Sequence, residues 1–385
     1  MKAPIYLDYN ATTPHDPEVI AAMKPFLTDY FGNPSSSYPY GVQTKEAVAI
    51  ARRQVASLLH CDSSEIVFTS GGTESNNYAL KGAAFQNHHK GNHIITTQIE
   101  HPAVLEVCKF LESNGFDITY LPVDEYGIVS SSDVEKAITL KTILITVMHA
   151  NNEVGSVQPI AEISTLVKER GILVHTDAAQ SIGKIPTDVR RLGVDLLSIA
   201  GHKVYAPKGI GSLYIRNGVD LSLIIHGARQ EHGRRPGTEN VLEIVGLGKA
   251  CEIAARDLNK NTPHMKEMRD TLYSGLKARV KEIKINGHPE KRLPNTLSIS
   301  FKGLDASTIL SKIRDDIAVS AGAACHSDKI EISHVLKAMH IPDEWARGTL
   351  RFTTGRMTSM EDIEIATKII TDAVLQLAGA QHITG

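Results

Sequence analysis

The chain has 385 residues, 42% of them apolar and 22% charged, and a net charge of −2, an ordinary globular composition. That length exceeds one typical domain, and near-neutral charge gives no electrostatic basis for capturing nucleic acid or a membrane surface. No apolar run reaches the roughly 18 residues of a membrane span, and the opening Met1-Lys2-Ala3-Pro4-Ile5 lacks a signal peptide's apolar stretch, so the cytoplasm is the expected compartment.

In chain order, Asp16 and Pro17 read as an N-cap and a first helical position, opening a helix to about residue 30. Ala47, Ile50, Ala51, Val55 and Leu58 recur at spacings of three and four and predict a helix over 43–59. A strand over 66–69, a helix after Thr73, a strand over 93–97 and a helix opened by Pro102 follow. Further strands are expected over 118–123, 143–148, 172–176 and 196–199, with a pair over 206–211 and 212–216. Such alternation predicts an α/β fold with a mostly parallel sheet covered on both faces. Beyond residue 241 the pattern changes to long helices over 241–258 and 265–283. Strand 295–301, helix 307–314, strands 317–320 and 350–354 and helix 360–377 then suggest a smaller α+β domain. The expected division is 14–258 for the large domain, and 1–13 with 259–385 for the small one.

The four cysteines, Cys61, Cys108, Cys251 and Cys325, are scattered without a CxxC pair, which argues against a disulfide framework and a zinc site. Cys108 and Cys251 fall in helical patterns and read as packing residues. Cys325 follows Ala321-Gly322-Ala323-Ala324 and precedes His326-Ser327-Asp328, a composition that predicts a loop with an accessible thiol.

Several strand ends carry residues suited to chemistry. Lys203, in Ala200-Gly201-His202-Lys203, follows an apolar strand, where a desolvated amine is held in its neutral, nucleophilic form. Asp177, in His175-Thr176-Asp177-Ala178-Ala179-Gln180, ends a buried strand at the edge where open α/β sheets bind ligands. A Schiff-base lysine with an acid placed for a pyridine nitrogen is the physical signature of pyridoxal-phosphate chemistry. Ser70-Gly71-Gly72-Thr73 opens a helix whose free N–H groups suit a phosphate, and no Walker lysine closes it. His101, before Pro102, and Asn152, in Asn151-Asn152-Glu153, fall at the same edge. Taken singly, each has a plainer reading: Lys203 as a surface turn, Asp177 as a helix cap, His101 as a structural imidazole.

With these residues assembled, the chain resembles cysteine desulfurases of the NifS/IscS type, in the class V aminotransferase group of fold-type I. The likeness runs through Tyr6-Leu7-Asp8-Tyr9-Asn10-Ala11-Thr12-Thr13-Pro14, Phe31-Gly32-Asn33-Pro34, the Gly71 turn, the Asp177 and Lys203 segments and Arg235-Pro236-Gly237-Thr238-Glu239-Asn240. It implies pyridoxal 5′-phosphate as cofactor, with Lys203 as its Schiff-base lysine, Asp177 on the pyridine nitrogen, His101 over the ring and Gln180 at the phenolic oxygen. Thr73 and His202 would hold the phosphate, with Thr238 reaching in from the partner subunit of a homodimer. Asn152 and Arg351 would bind the substrate carboxylate. Cys325 would take sulfur from L-cysteine as a persulfide, leaving alanine, and pass it to a sulfur-acceptor or iron–sulfur scaffold protein.

Two positions depart from that family's pattern: Ala200 stands where a phosphate-binding serine is usual, and His232 where an arginine is. The 322–328 and 235–240 segments look more like selenocysteine lyases, so L-selenocysteine is an alternative substrate. An ordinary transaminase and a catalytically silent scaffold for sulfur-carrier proteins are the further alternatives.

Overall fold

The computed structural model describes residues 3–326 and 329–381, and their side chains except for 323–331 and 380–381. After the two-residue strand β1 (Ile5–Tyr6), seven strands build the main sheet: β2 (Ile66–Thr69), β3 (His93–Thr97), β4 (Asp117–Leu121), β5 (Thr142–Thr146), β6 (Leu173–Asp177), β7 (Leu196–Ala200) and β8 (Gly211–Ile215). Their spatial order is β2-β8-β7-β6-β5-β3-β4, and only β8 runs against its neighbours. Residues alternate between the two faces of each strand. Phe68, Ile95, Ile145 and Leu197 join the core on one face, and Val67, Ile94, Leu144 and Leu196 the core on the other. This is the α/β sheet expected from the sequence.

A smaller four-stranded sheet follows in the order β12-β15-β10-β9, from β9 (Ile283–Asn286), β10 (Thr296–Phe301), β12 (Ser320–Ala321) and β15 (Thr349–Thr353). β1 pairs in parallel with β11 (Ile317–Ala318), which brings the N-terminal segment onto this unit. Its own core gathers Leu7, Leu272, Phe301, Ile309, Phe352 and Ile370. Among the described residues no helix is long and apolar enough to cross a membrane.

Four local expectations are corrected. The helix expected to residue 30 is two, Pro17–Met23 and Pro25–Thr28, because Pro25 has no N–H for the first helix and instead starts the second. The two helices expected over 241–258 and 265–283 are one, Val241–Lys277, with Pro263 inside it. Flanking anchors carry it across the proline: the Thr262 hydroxyl donates to the Lys184 carbonyl at 2.9 Å, and the His264 ring meets the Thr358 carbonyl at 3.0 Å. Ile283 belongs to β9, whose pairing with β10 outweighs the helical pattern. Residues 206–210 form a turn rather than a strand, tied back by the Gly201 N–H to the Ile210 carbonyl at 2.9 Å.

Cys325 was expected in a loop. Its backbone lies in β13 (Ala323–His326), paired antiparallel with β14 (Lys329–Ile332) so that Cys325 faces Ile330. The Cys325 side chain lies outside the described side chains.

Candidate active site

The carboxyl ends of β2, β3, β5, β6 and β7 surround a cavity of about 380 Å³. Eight predicted residues line it: Thr73, His101, Asn152, Asp177, Gln180, His202, Lys203 and Arg351. Thr238 does not; it stands exposed on the 234–240 loop, away from this cavity.

Lys203 ends a 3₁₀ turn, Gly201–Lys203, directly after β7. Its Nζ donates to the carbonyls of Asn10 and Ala11, the latter at 2.7 Å. Burial comes first in depressing its pKa, and the Arg351 charge adds to it; Asp8 and Asp177 oppose, leaving it at about 8. An amine with such a pKa keeps an appreciable neutral fraction near physiological pH, as a nucleophile requires. Two residues on, Tyr205 takes φ +68, costly for a side chain this large. Its surroundings hold it there: its N–H donates to the Thr13 hydroxyl, its phenol accepts from the Arg356 N–H, and the Arg356 guanidinium lies 3.9 Å from its ring.

Asp177, the last residue of β6, is 7% exposed, and both carboxylate oxygens are engaged. Oδ1 accepts the Ala179 N–H at 2.9 Å, the cap-like contact, and Oδ2 accepts from the Asn76 amide at 2.7 Å. Asn76 sits three residues after Thr73 on helix Gly72–Asn87, on the same face, and turns inward at 1% exposure. It was not singled out from the sequence, although its distance from Thr73 was a usable signal. The N-cap of that helix is Gly71, at φ +151, and no side chain caps it. A helix of this length with an uncapped N-terminus at a cavity wall suits an anion. Ala200 faces it without a hydroxyl: a Cβ at Gly72 would lie 3.2 Å from the Ala200 Cβ. His202, whose Nδ1 meets the Thr12 hydroxyl at 3.3 Å, is held at a pKa of about 4 by burial and then by the charge of Lys203, so its imidazole is neutral.

Asn10 is the hub that the sequence did not reveal, although it lies in one of the motifs quoted for the family. It is 1% exposed. Its amide donates to the Asn152 carbonyl at 3.1 Å and the Thr296 hydroxyl at 2.9 Å, and its carbonyl accepts from both Lys203 and the Gln180 amide. One residue of the N-terminal segment thus joins both sheets to the cavity.

His101 caps helix Pro102–Glu112, its Nδ1 accepting the Ala103 N–H at 3.1 Å, so its ring proton is on Nε2. Desolvation of the inner part of the ring lowers its pKa, Asp177 opposes, and the charges of Lys203 and His334 add to the lowering. Behind it, Glu100 is fully buried. Its Oε1 accepts from the Thr97 hydroxyl and the Met148 N–H, while Oε2 has no partner. Burial, opposed by those two hydrogen bonds, pushes its pKa up from 4.5 to about 8, so it is protonated at neutral pH. Between those two values the folded chain holds a proton that the unfolded chain releases, so stability falls as pH rises, by about 1.4 kcal/mol per pH unit at most. Glu100→Gln mimics the protonated acid. In thermal unfolding this variant should lose less stability between pH 5 and pH 8 than the parent; parallel Tm curves would refute the assignment.

The exit of the Cys325 hairpin is pinned to this rim. The Ser333 hydroxyl donates to Glu153, and the His334 ring meets the Glu100 carbonyl at 3.0 Å, next to His101. Arg351 projects from β15, paired with Ser320 of β12 and Ser298 of β10. Nη1 donates to the Asn152 carbonyl at 3.0 Å, Nη2 to Asp8 at 2.8 Å and to the Ser320 hydroxyl at 3.1 Å, and the buried Nε has no partner. Asp8 and Ser320, which hold this guanidinium, were not identified from the sequence. Among the described residues no group of three metal-binding side chains occurs.

Comparison with known proteins agrees with this geometry. The aminotransferase class-V family model matches residues 5–365. The cysteine desulfurase IscS of Dictyoglomus turgidum is 49% identical over 371 residues, 96% of this chain and 94% of the relative. A solved NifS-like protein superposes with a TM-score of 0.91 at 39% identity, covering 98% of this chain and all of the other. SspA, solved in complex with cysteine, superposes at 0.81 with 38% identity, covering 92% and 99%. The chain therefore belongs to the class-V aminotransferase family, among the relatives named cysteine desulfurases.

Proposed function

We propose that the protein is a pyridoxal-phosphate-dependent cysteine desulfurase that converts L-cysteine to L-alanine and retains the sulfur on Cys325. The observation that carries this reading is the donor set of a single cavity. An amine of depressed pKa, a buried carboxylate, an uncapped helix N-terminus and a guanidinium all open into it.

That set fits pyridoxal 5′-phosphate. Lys203 would hold its aldehyde carbon, Asp177 its pyridine nitrogen, Gln180 its phenolic oxygen, and the helix N-terminus with Thr73 and His202 its phosphate. His101 would lie over the ring. Ala200 brings no hydroxyl, so the phosphate would rely on the helix N–H groups, Thr73 and His202, joined by Thr238 of a second copy. Bound there, the cofactor supplies an electrophilic carbon for the substrate amine and an electron sink for the α-carbon.

The chain's own residues do the rest. Arg351 and Asn152 orient the substrate carboxylate, a task suited to a planar guanidinium. Lys203, once free, takes the proton from the substrate Cα, and a pKa of about 8 suits it to that exchange near neutral pH. The Cys325 thiolate attacks the substrate sulfur. A sulfur–sulfur bond forms, the Cβ–Sγ bond breaks with its electron pair staying on carbon, and protons delivered by Lys203 and His101 complete alanine. Cys325 keeps the persulfide, which an acceptor protein with a nucleophilic thiol or an iron–sulfur scaffold would collect.

A homodimer is part of the reading. Thr238 is exposed away from its own cavity, and Leu27 at 67% and Phe31 at 73% exposure offer apolar surface to a second copy. So are a cytoplasmic location and the division into 14–258 and 1–13 with 259–385.

The test is alanine formation by the purified, pyridoxal-loaded protein from L-cysteine and from L-selenocysteine. Turnover of L-selenocysteine alone would replace this reading with a selenocysteine lyase, and turnover of neither would leave a scaffold. In the same assay Arg351→Met should raise the KM for L-cysteine about 100-fold, as expected when a charge-assisted carboxylate anchor is lost. An unchanged KM would remove Arg351 from the substrate site.

A further inference from the structure

Lys184 lies outside every role assigned so far, yet it is a lysine at 4% exposure just beneath the site. Its Nζ has two hydrogen-bond acceptors, both on Gln180: the carbonyl at 2.9 Å and the side-chain Oε1 at 3.3 Å. With Oε1 engaged, the Gln180 Nε2 donates to the Asn10 carbonyl at 3.0 Å, the same oxygen that accepts from Lys203 Nζ. We infer that Lys184 is a positioning residue: its buried amine fixes the Gln180 carboxamide and, through the Asn10 carbonyl, the setting of Lys203.

Stability alone gives no reason for an amine here. Burying an ammonium without a carboxylate partner is costly, and an apolar side chain of similar length would pack at less cost. Burial, followed by repulsion from Lys203 and Arg351, brings the Lys184 pKa down to about 7, and no acid contributes to its setting. What the amine supplies is direction. A carboxamide can rotate to present either end, and a donor at Oε1 selects the orientation that turns Nε2 toward Asn10. Each contact is short-range and polar, so the chain Lys184–Gln180–Asn10–Lys203 transmits an orientation rather than a charge.

This inference rests on the reading of Lys203 as the pyridoxal-bearing lysine. The experiment compares Lys184→Met, Lys184→Gln, Gln180→Ala and the Lys184→Met/Gln180→Ala double variant, each purified and loaded with pyridoxal 5′-phosphate. Two quantities are read: the pH titration of the visible absorption band, and kcat and KM for L-cysteine.

Both Lys184 variants should shift the midpoint of that titration by up to about one unit, because the order that the amine imposes on Gln180 and the Asn10 carbonyl is lost. Their kcat should fall about tenfold, with KM within about twofold, as misplacement of a reacting group predicts. Because Lys184 acts through Gln180, the double variant should be no more impaired than Gln180→Ala. A parental titration midpoint in both Lys184 variants, or additive effects in the double variant, would overturn the inference. So would loss of folding in both Lys184 variants while Gln180→Ala folds, which would make the amine purely structural. A parent protein with no visible band at all would overturn the reading of Lys203, and this inference with it.

Discussion

Replacing Lys203 with alanine should abolish alanine formation from L-cysteine, with a loss of at least about 10³-fold. On the proposed reading two functions vanish together in that variant: the nucleophilic amine that would carry the cofactor, and the base that would take the α-proton. A positioned general base alone accounts for 10²–10⁴-fold. The structure gives the variant a specific signature. Lys203 Nζ is bonded to the Asn10 and Ala11 carbonyls, so truncation takes one donor from each, and the Asn10 carbonyl keeps the Gln180 amide. The fold should survive, the visible band of the loaded protein should disappear, and phosphate-end binding should persist in weakened form. Measuring absorbance, cofactor content after gel filtration and turnover together checks this. Retention of a covalent, reducible cofactor linkage in Lys203→Ala would mean that another amine carries the cofactor, and buried Lys184 would be the first to examine.

Cys325→Ser separates the two halves of the reaction. A hydroxyl of the same size is a far weaker nucleophile toward sulfur because almost none of it is ionised at neutral pH. Alanine production from L-cysteine should fall by at least about 100-fold, no persulfide should be detected on the protein, and the absorption band and cofactor content should be unchanged. An ordinary transaminase would predict the opposite, with full activity in Cys325→Ser. The other three cysteines do not offer a substitute: burial pushes the thiols of Cys61, Cys108 and Cys251 each up to about 12. Ser333 and His334, just after β14, are held beside Glu153 and Glu100 at the cavity rim.

Much of the site was legible in the sequence because strand ends announce themselves. A run such as Leu196–Ala200 is buried throughout and largely apolar, so the polar residues after it fall at the sheet edge, and the ends of five strands bring Gly71, His101, Asn152, Asp177 and Lys203 to that edge, in or shortly after the strand. What stayed hidden were the supports. Asn76, Asn10, Asp8 and Ser320 touch the predicted residues across separations of up to 343 positions, and no local pattern encodes such pairings. The same limit applied to the fold. Pro25 broke a helix as its chemistry demands, whereas Pro263 did not, because contacts from Lys184 and Thr358 held the chain helical on either side of it.

The sequence by itself therefore determined the order of most strands and helices, the edge of the sheet where chemistry gathers, and the candidate amine, acid and imidazole there, from local composition and from the two-residue and 3.6-residue periods of the backbone. The guanidinium of Arg351 and the role of the Cys325 thiol came only from the resemblance to NifS/IscS-type desulfurases. The tertiary structure alone decided how those groups are held: a carboxylate satisfied by Asn76, a guanidinium bound by Asp8, a carbonyl shared by Lys203 and Gln180, and a thiol-bearing hairpin anchored at the rim. Hydrogen bonds reach only about 3 Å, so which distant residues meet at that range is settled by the packing of the whole chain and by nothing shorter.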